Sequence, residues 1–202
     1  LQPQDHQALR GLQREYGTGA IYRHSQSHRQ EIEAGAAGIV IGHGTDTMHH
    51  TAAILSFMVQ DTPVPIVMVG SQRSSDRPSS DAALNLINSV RTAAYSDAAE
   101  VMVCMFGPTS DKYCLLHRGT RVRKMHSSYR STFRTIGGIP IGLASPTEFK
   151  FFTEDYKRRR ADRKVKIDTA FNEKVAIVYY YPNMKPDMID SLIDHGYEGI
   201  VI

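Results

Sequence analysis

A glycine, a hydroxyl and a carboxylate stand together in His43-Gly44-Thr45-Asp46-Thr47, between the apolar run Gly38-Ile39-Val40-Ile41 and a helical segment. That is where α/β proteins bind ligands, beyond a strand's carboxyl end and at a helix N-terminus. Gly44 lets the backbone approach a ligand closely, and free amides of the first helical turn favour a carboxylate or a developing oxyanion. Thr45 offers a nucleophilic oxygen and Asp46 a partner for an ammonium group. The competing explanation is that Thr45, Asp46 and Thr47 only cap the helix. A second loop, Gly70 to Asp81, also joins a strand to a helix and carries many hydroxyls and charges, which solvated turns and caps partly explain. Arg118 to His126 brings four cations together. A solvated basic loop accounts for them, unless a lysine lies desolvated beside the Thr45 loop, where it becomes a base. His43, His49 and His50 cluster, with His49 and His50 expected on different sides of a helix. His24 and His28 have His-x-x-x-His spacing without the intervening glutamate of a metalloprotease, so a solvated helix face is expected and no metal.

The elements that must hold these groups read as α/β. Helices are expected over Ile21 to Ala34, Thr47 to Gln60, Ser80 to Tyr95 and Pro186 to His195. In the third, Leu84, Ile87, Val90 and Ala94 recur at helical spacing, with Ser80 or Asp81 as the cap. Strands are expected at 38–41, 66–69, 101–106, 113–116, 175–181 and 199–202, and residues 118–150 read as irregular. Short, continuously apolar strands alternating with helices predict a parallel, doubly wound sheet of flavodoxin/Rossmann type, covered on both faces.

The chain has 41% hydrophobic and 22% charged residues, an ordinary globular composition. No apolar run reaches the roughly 20 residues of a membrane span, and Leu1 to Glu15 holds no signal-peptide core. Cys104 and Cys114 lie in apolar runs and form no Cys-x-x-Cys pair, so buried free thiols in a cytoplasmic protein are expected. The net charge of +3 is local: residues 157–166 hold seven of the 24 basic residues and one of the 21 acidic ones, leaving 17 against 20 elsewhere. A charged linker is the expectation there, because no aromatic residues interleave with the basic ones as on a base-stacking surface.

HGTDTMHHTAAILSFM, PVPIVMVGSQRSSDRPSSDAALNL, SDKYCLLHRGTRVRKMH and FRTIGGIP resemble the asparaginase/glutaminase amidohydrolases from about Glu31 to Ile202. They are most similar to that family's tRNA-dependent branch, the subunits of type D of the archaeal glutamyl-tRNA(Gln) amidotransferases. The resemblance implies release of ammonia from glutamine or asparagine, and a partner amidotransferase subunit of type E that activates Glu-tRNA(Gln) with ATP and Mg. This chain itself would bind no cofactor, would meet tRNA(Gln) only through the complex, and would form a homo-oligomer. By resemblance, Thr45, Asp46 and Lys124 are catalytic, and Gly44 and Ser71 line the substrate pocket. Thr45 attacks or positions water, Lys124 takes its proton, and Asp46 orients Lys124 and holds the substrate's α-amino group. The implied organisation is an N-terminal α/β domain over 1–152, a basic linker over 153–172 and a truncated start of a C-terminal domain over 173–202.

The chain departs from the family's pattern in its first thirty residues. The family's earlier strand and Thr-Gly-Gly-Thr nucleophile loop are missing. Gly17-Thr18-Gly19-Ala20 is a faint echo too close to Thr45, and Ser25 and Ser27 do not fit the expected carboxylate-gripping loop. Two further readings therefore stand beside the first: a free-standing L-asparaginase, and a catalytically incomplete fragment that only binds a partner.

Overall fold

The computed structural model describes residues 27–108 and 112–202. They fall into two compact units divided between Thr169 and Ala170. His24, Ser25, the segment 17–20 and the first part of the helix expected from Ile21 lie outside the described residues, while 27–33 are helical.

The first unit is built on a six-stranded sheet. In chain order its strands are β1 (Ile39–Gly42), β3 (Ile66–Val69), β4 (Val101–Phe106), β5 (Cys114–Arg118), β8 (Gly142–Ala144) and β9 (Phe149–Phe151), and they lie side by side in that order. β1, β3 and β4 are parallel, with Ile39 opposite Ile66 and Ile66 opposite Val101. From β4 onward the pairings are antiparallel. The expected parallel core is present, but the sheet is mixed. Residues 107–113 between β4 and β5, and 145–148 between β8 and β9, are too few for a crossover helix, and the longer link 119–141 between β5 and β8 is taken up by a β-hairpin.

All residues of β3 and β4 are buried, because a helix covers each face. Helix α1 (Met48–Met58) sets Met48, Ala52, Leu55 and Met58 against Ile66, Met68, Val101 and Val103. On the other face lie Val67, Met102, Cys104, Cys114 and Leu116, beneath helix α2 (Ala82–Tyr95). Where the C-terminal turn of α2 crosses the start of β1, a Cβ on Gly38 would collide with the Ala93 carbonyl, so only glycine fits.

α2 does not present the stripe that its apolar spacing suggests. Asn85, Asn88, Ser89, Thr92 and Ala93 face the sheet. Leu86, Ile87 and Val90 are 51%, 50% and 50% exposed. The expectation that Ile87 and Val90 form the core face is corrected. The amide nitrogens of Asn85 and Asn88 find partners in the sheet and in the loop before the helix, and that decides the rotation.

Two small pairings complete this unit. β6 (Val122–Lys124) and β7 (Phe133–Thr135) form an antiparallel hairpin, and β2 (Val59–Gln60) pairs with β10 (Lys166–Ile167). The basic stretch lies along this unit: Lys157 pairs with Asp61 at 3.4 Å, Arg158 with Asp97 at 2.6 Å, and Arg163 donates to the Thr62 carbonyl at 3.1 Å. Arg159 reaches the last carbonyls of α2, donating to Ala93 at 2.9 Å and Ser96 at 3.1 Å, and also to Ala37. Cys104 and Cys114 are free and fully buried, and contact with the Cys104 thiol together with burial raises the pKa of Cys114.

The second unit is a β-α-β motif. β11 (Val175–Ile177) and β12 (Gly199–Val201) are parallel, joined through helix α3 (Asp187–Asp194). Pro186 precedes α3 and Gly196, at φ 73°, follows it. Among the described residues no helix is long and apolar enough to cross a membrane.

The packing predicts unequal responses to substitution. Leu55→Ala should cost about 2–5 kcal/mol, while Leu86→Gln combined with Ile87→Gln should cost under about 1 kcal/mol. Urea unfolding checks this, and equal losses would show that α2 faces the sheet with its apolar stripe.

Candidate functional site

The loop after β1 begins as an extension of the sheet, with the His43 amide donating to the Val69 carbonyl at 2.8 Å. Residues 45–47 then turn into α1. Thr47 occupies the N-cap position without a side-chain cap hydrogen bond. The hydroxyl and carboxylate before it are used elsewhere: Lys124 Nζ donates to Thr45 Oγ1 at 2.8 Å and to Asp46 Oδ1 at 2.7 Å. Capping is therefore not what Thr45 and Asp46 do.

Lys124 gets there by strand alternation. Along β6, Val122 and Lys124 point inward and Arg123 outward, and Val122 joins the core beside Phe133. The Lys124 side chain is 8% exposed and that of Asp46 90%. The pair thus lies at a boundary, with the amine enclosed and the carboxylate open to a ligand. Gly44 has open space where a side chain would stand, and its carbonyl accepts from His43 Nδ1 at 2.6 Å.

Gly70 brings the second loop onto the first. A Cβ there would lie 2.5 Å from the His43 carbonyl oxygen and 2.8 Å from Met48 Cε, with the Thr45 methyl at 3.3 Å. Ser71 follows directly and is partly exposed. Gln72 Nε2 donates to the Ser127 carbonyl at 2.5 Å, three residues beyond Lys124. Three segments remote in sequence, 43–47, 70–73 and 124–127, therefore converge. Each of Gly44, Thr45, Asp46, Ser71 and Lys124 lies on one of them.

The histidines differ from expectation. His49 and His50, though successive on α1, have ring centroids 4.0 Å apart. Burial, followed by the charges of His50, Arg123 and Lys124, lowers the pKa of His49 to about 4. His28 is buried instead of lying on a solvated face. Among the described residues no three His, Cys, Asp or Glu converge as a metal site.

Sequence reasoning missed Asn85, read Asp81 only as a cap, and gave Gln72 no role within its loop. For Asp81 and Asn85 the signal was a polar helical period, Asp81, Asn85, Asn88 and Thr92, which the neighbouring apolar period masked. Chemically, the arrangement joins an enclosed amine, a hydroxyl and an open carboxylate beside free helix-end amides. It is suited to moving a proton between Thr45 Oγ1 and Lys124 Nζ while an anionic oxygen develops nearby.

Residues 20–157 match the family described as asparaginase, N-terminal, and the chain belongs to that family. Two relatives are glutamyl-tRNA(Gln) amidotransferase subunits of type D. The chain is 56% identical over 172 residues to the one from Pyrococcus furiosus, covering 85% of this chain and 39% of that protein. It is 57% identical over 166 residues to the one from Thermococcus kodakarensis, covering 82% and 37%. The chain thus spans about two-fifths of the length of these curated relatives. Among solved structures, the thermostable L-asparaginase from Thermococcus kodakarensis superposes with a TM-score of 0.77 at 25% identity, covering 91% of this chain and 52% of that one.

The enclosed histidines make stability depend on pH. Burial, then the charge of Arg134, holds His117 at a pKa of about 4, with Nδ1 at 2.8 Å from Thr135 Oγ1. A histidine free in the unfolded chain titrates near 6.5. Below that pH the unfolded state binds more protons, so stability is full above about 6.5 and falls as pH drops toward 4. His117 alone should remove about 2 kcal/mol by pH 5. Urea unfolding at pH 7 and pH 5 checks this against His117→Gln, and a wild-type loss no larger than the variant's would refute it.

Proposed function

We propose that this chain carries the amide-hydrolysing chemistry of a glutamine/asparagine amidohydrolase subunit, one that supplies ammonia for converting Glu-tRNA(Gln) to Gln-tRNA(Gln). The observation that carries the reading is the Lys124 amine held between Thr45 Oγ1 and Asp46 Oδ1. The names of its relatives support the tRNA-dependent branch. In this reading Thr45 supplies or orients the oxygen that attacks the side-chain amide carbon, and its proton passes to Lys124 Nζ. The tetrahedral oxyanion is met by backbone amides at the start of α1. Collapse breaks the C–N bond, and the proton on Nζ leaves with the nitrogen as ammonia. Where Thr45 itself attacks, the ester left on Oγ1 is then cleaved by water, which frees the carboxylate and restores the hydroxyl; where water attacks, the carboxylate forms directly. Asp46 keeps Lys124 aimed at Thr45 and, being open, faces the substrate's α-ammonium. Gly44 and Ser71 line the pocket through their backbones. Ammonia goes to the partner amidotransferase subunit of type E, which uses ATP and Mg to activate Glu-tRNA(Gln); this chain holds neither. The protein works in the cytoplasm as a homo-oligomer.

The structural likeness to an L-asparaginase favours a second reading, a free-standing enzyme that needs no tRNA and no partner. The test is ammonia release from glutamine and from asparagine by the chain, with and without the type E partner, beside Thr45→Ala and Lys124→Met. Both variants should lose several orders of magnitude in rate while keeping a cooperative unfolding transition. Near-normal release from either would overturn the assignment. Release from asparagine indifferent to that partner, with no copurification, would favour the free-standing enzyme. Silence from a folded wild-type chain would leave it only a partner-binding role.

A further inference from the structure

Helix α2 buries Asn85, Asn88, Ser89 and Thr92 while Leu86 and Ile87 stand in solvent. Buried amides are costly unless hydrogen-bonded, and their partners here run in one direction. Asn88 Nδ2 donates to Cys114 Sγ at 3.3 Å, and that thiol donates to Asn85 Oδ1 at 3.2 Å. Asn85 Nδ2 donates to Asp81 Oδ2 at 2.7 Å and to the Gly70 carbonyl at 2.9 Å. Asp81, 2% exposed, stands at the N-cap position of α2 but makes no cap hydrogen bond to it. Its two oxygens instead accept the backbone amides of Gln72 at 3.0 Å and Arg73 at 2.9 Å. Charge-assisted bonds of this kind are about twice as strong as neutral ones.

We infer that Asp81, oriented by Asn85, is a positioning residue that sets the distance between Thr45 and Lys124. It acts through the loop from Gly70 to Arg73, whose Gln72 and Arg73 amides its carboxylate clamps while Asn85 holds the Gly70 carbonyl. Gly70 leaves no room for a side chain between itself and His43 and Thr45, and Gln72 grips Ser127 on the segment that follows Lys124. Neither Asp81 nor Asn85 touches Lys124; the loop carries their effect. The inference rests on reading Thr45 and Lys124 as the reacting pair.

Amide NMR spectra of the 202-residue chain and its Asp81→Asn variant test it, with Leu86→Gln as the control. In Asp81→Asn the Gln72 and Arg73 amide protons should move upfield and exchange at least about tenfold faster. The Thr45 and Lys124 amide signals should shift with them, while the control leaves all four in place. Movement confined to Gln72 and Arg73 would show that Asp81 closes only its own loop, and would overturn the inference. Should Asp81→Asn not fold, Gln72→Ala removes only the grip on Ser127; it should shift Ser127 and Lys124, and an unmoved Lys124 would count equally against the clamp. The signals need no turnover. A silent ammonia assay therefore leaves the clamp tested, and a failed clamp leaves the Lys124→Met result standing.

Discussion

The Lys124 amine, shared between Thr45 Oγ1 and Asp46 Oδ1, ties together groups separated by 79 and 78 residues. A buried amine demands acceptors, and exposed surface on one side only tells a ligand where to arrive. Most of the first unit serves that demand. β1 and β3 carry the two loops to one end of the sheet. The β6–β7 hairpin anchors Val122 and Phe133 in the core on the α1 side, so that the next inward residue is the lysine.

The same demand for partners explains why one helix is apolar toward the sheet and the other is polar. α1 covers Met68 and Val103 with ordinary hydrophobic surface. α2 covers a face that includes two thiols, and it meets Cys114 with Asn85 and Asn88, not methyl groups. Dispersion contact is given up on that face, and a hydrogen-bonded line from the sheet to the 70–73 turn is gained. Such a line has defined geometry, which nondirectional packing lacks.

Much of this was legible in the residues. The strands at 66–69 and 101–106 were readable because burial on both faces leaves a continuous apolar run, and α1 and α2 because their periods are unbroken. The Thr45, Asp46 and Lys124 grouping came from resemblance; spacing alone left capping open. Three kinds of information were not local. Strand direction past β4 depends on which strands meet across the sheet, and strands of three residues are too short to show a period, so 118–150 read as irregular. The rotation of α2 depends on what its asparagines meet across the sheet. The 4.0 Å approach of His49 and His50 depends on side-chain torsions that helical periodicity does not fix.

Arg159 turns the basic stretch into a matter of timing. Its guanidinium satisfies carbonyls at the end of α2 and at Ala37, the latter 122 residues earlier in the chain. Until residue 159 has left the ribosome, the last turn of α2 has open acceptors and the entrance to β1 lacks its tie. In vectorial synthesis α1, α2 and the central strands emerge before the guanidinium that ties them together. A long-range contact of this kind carries a loop-closure cost that only an already ordered sheet can offset.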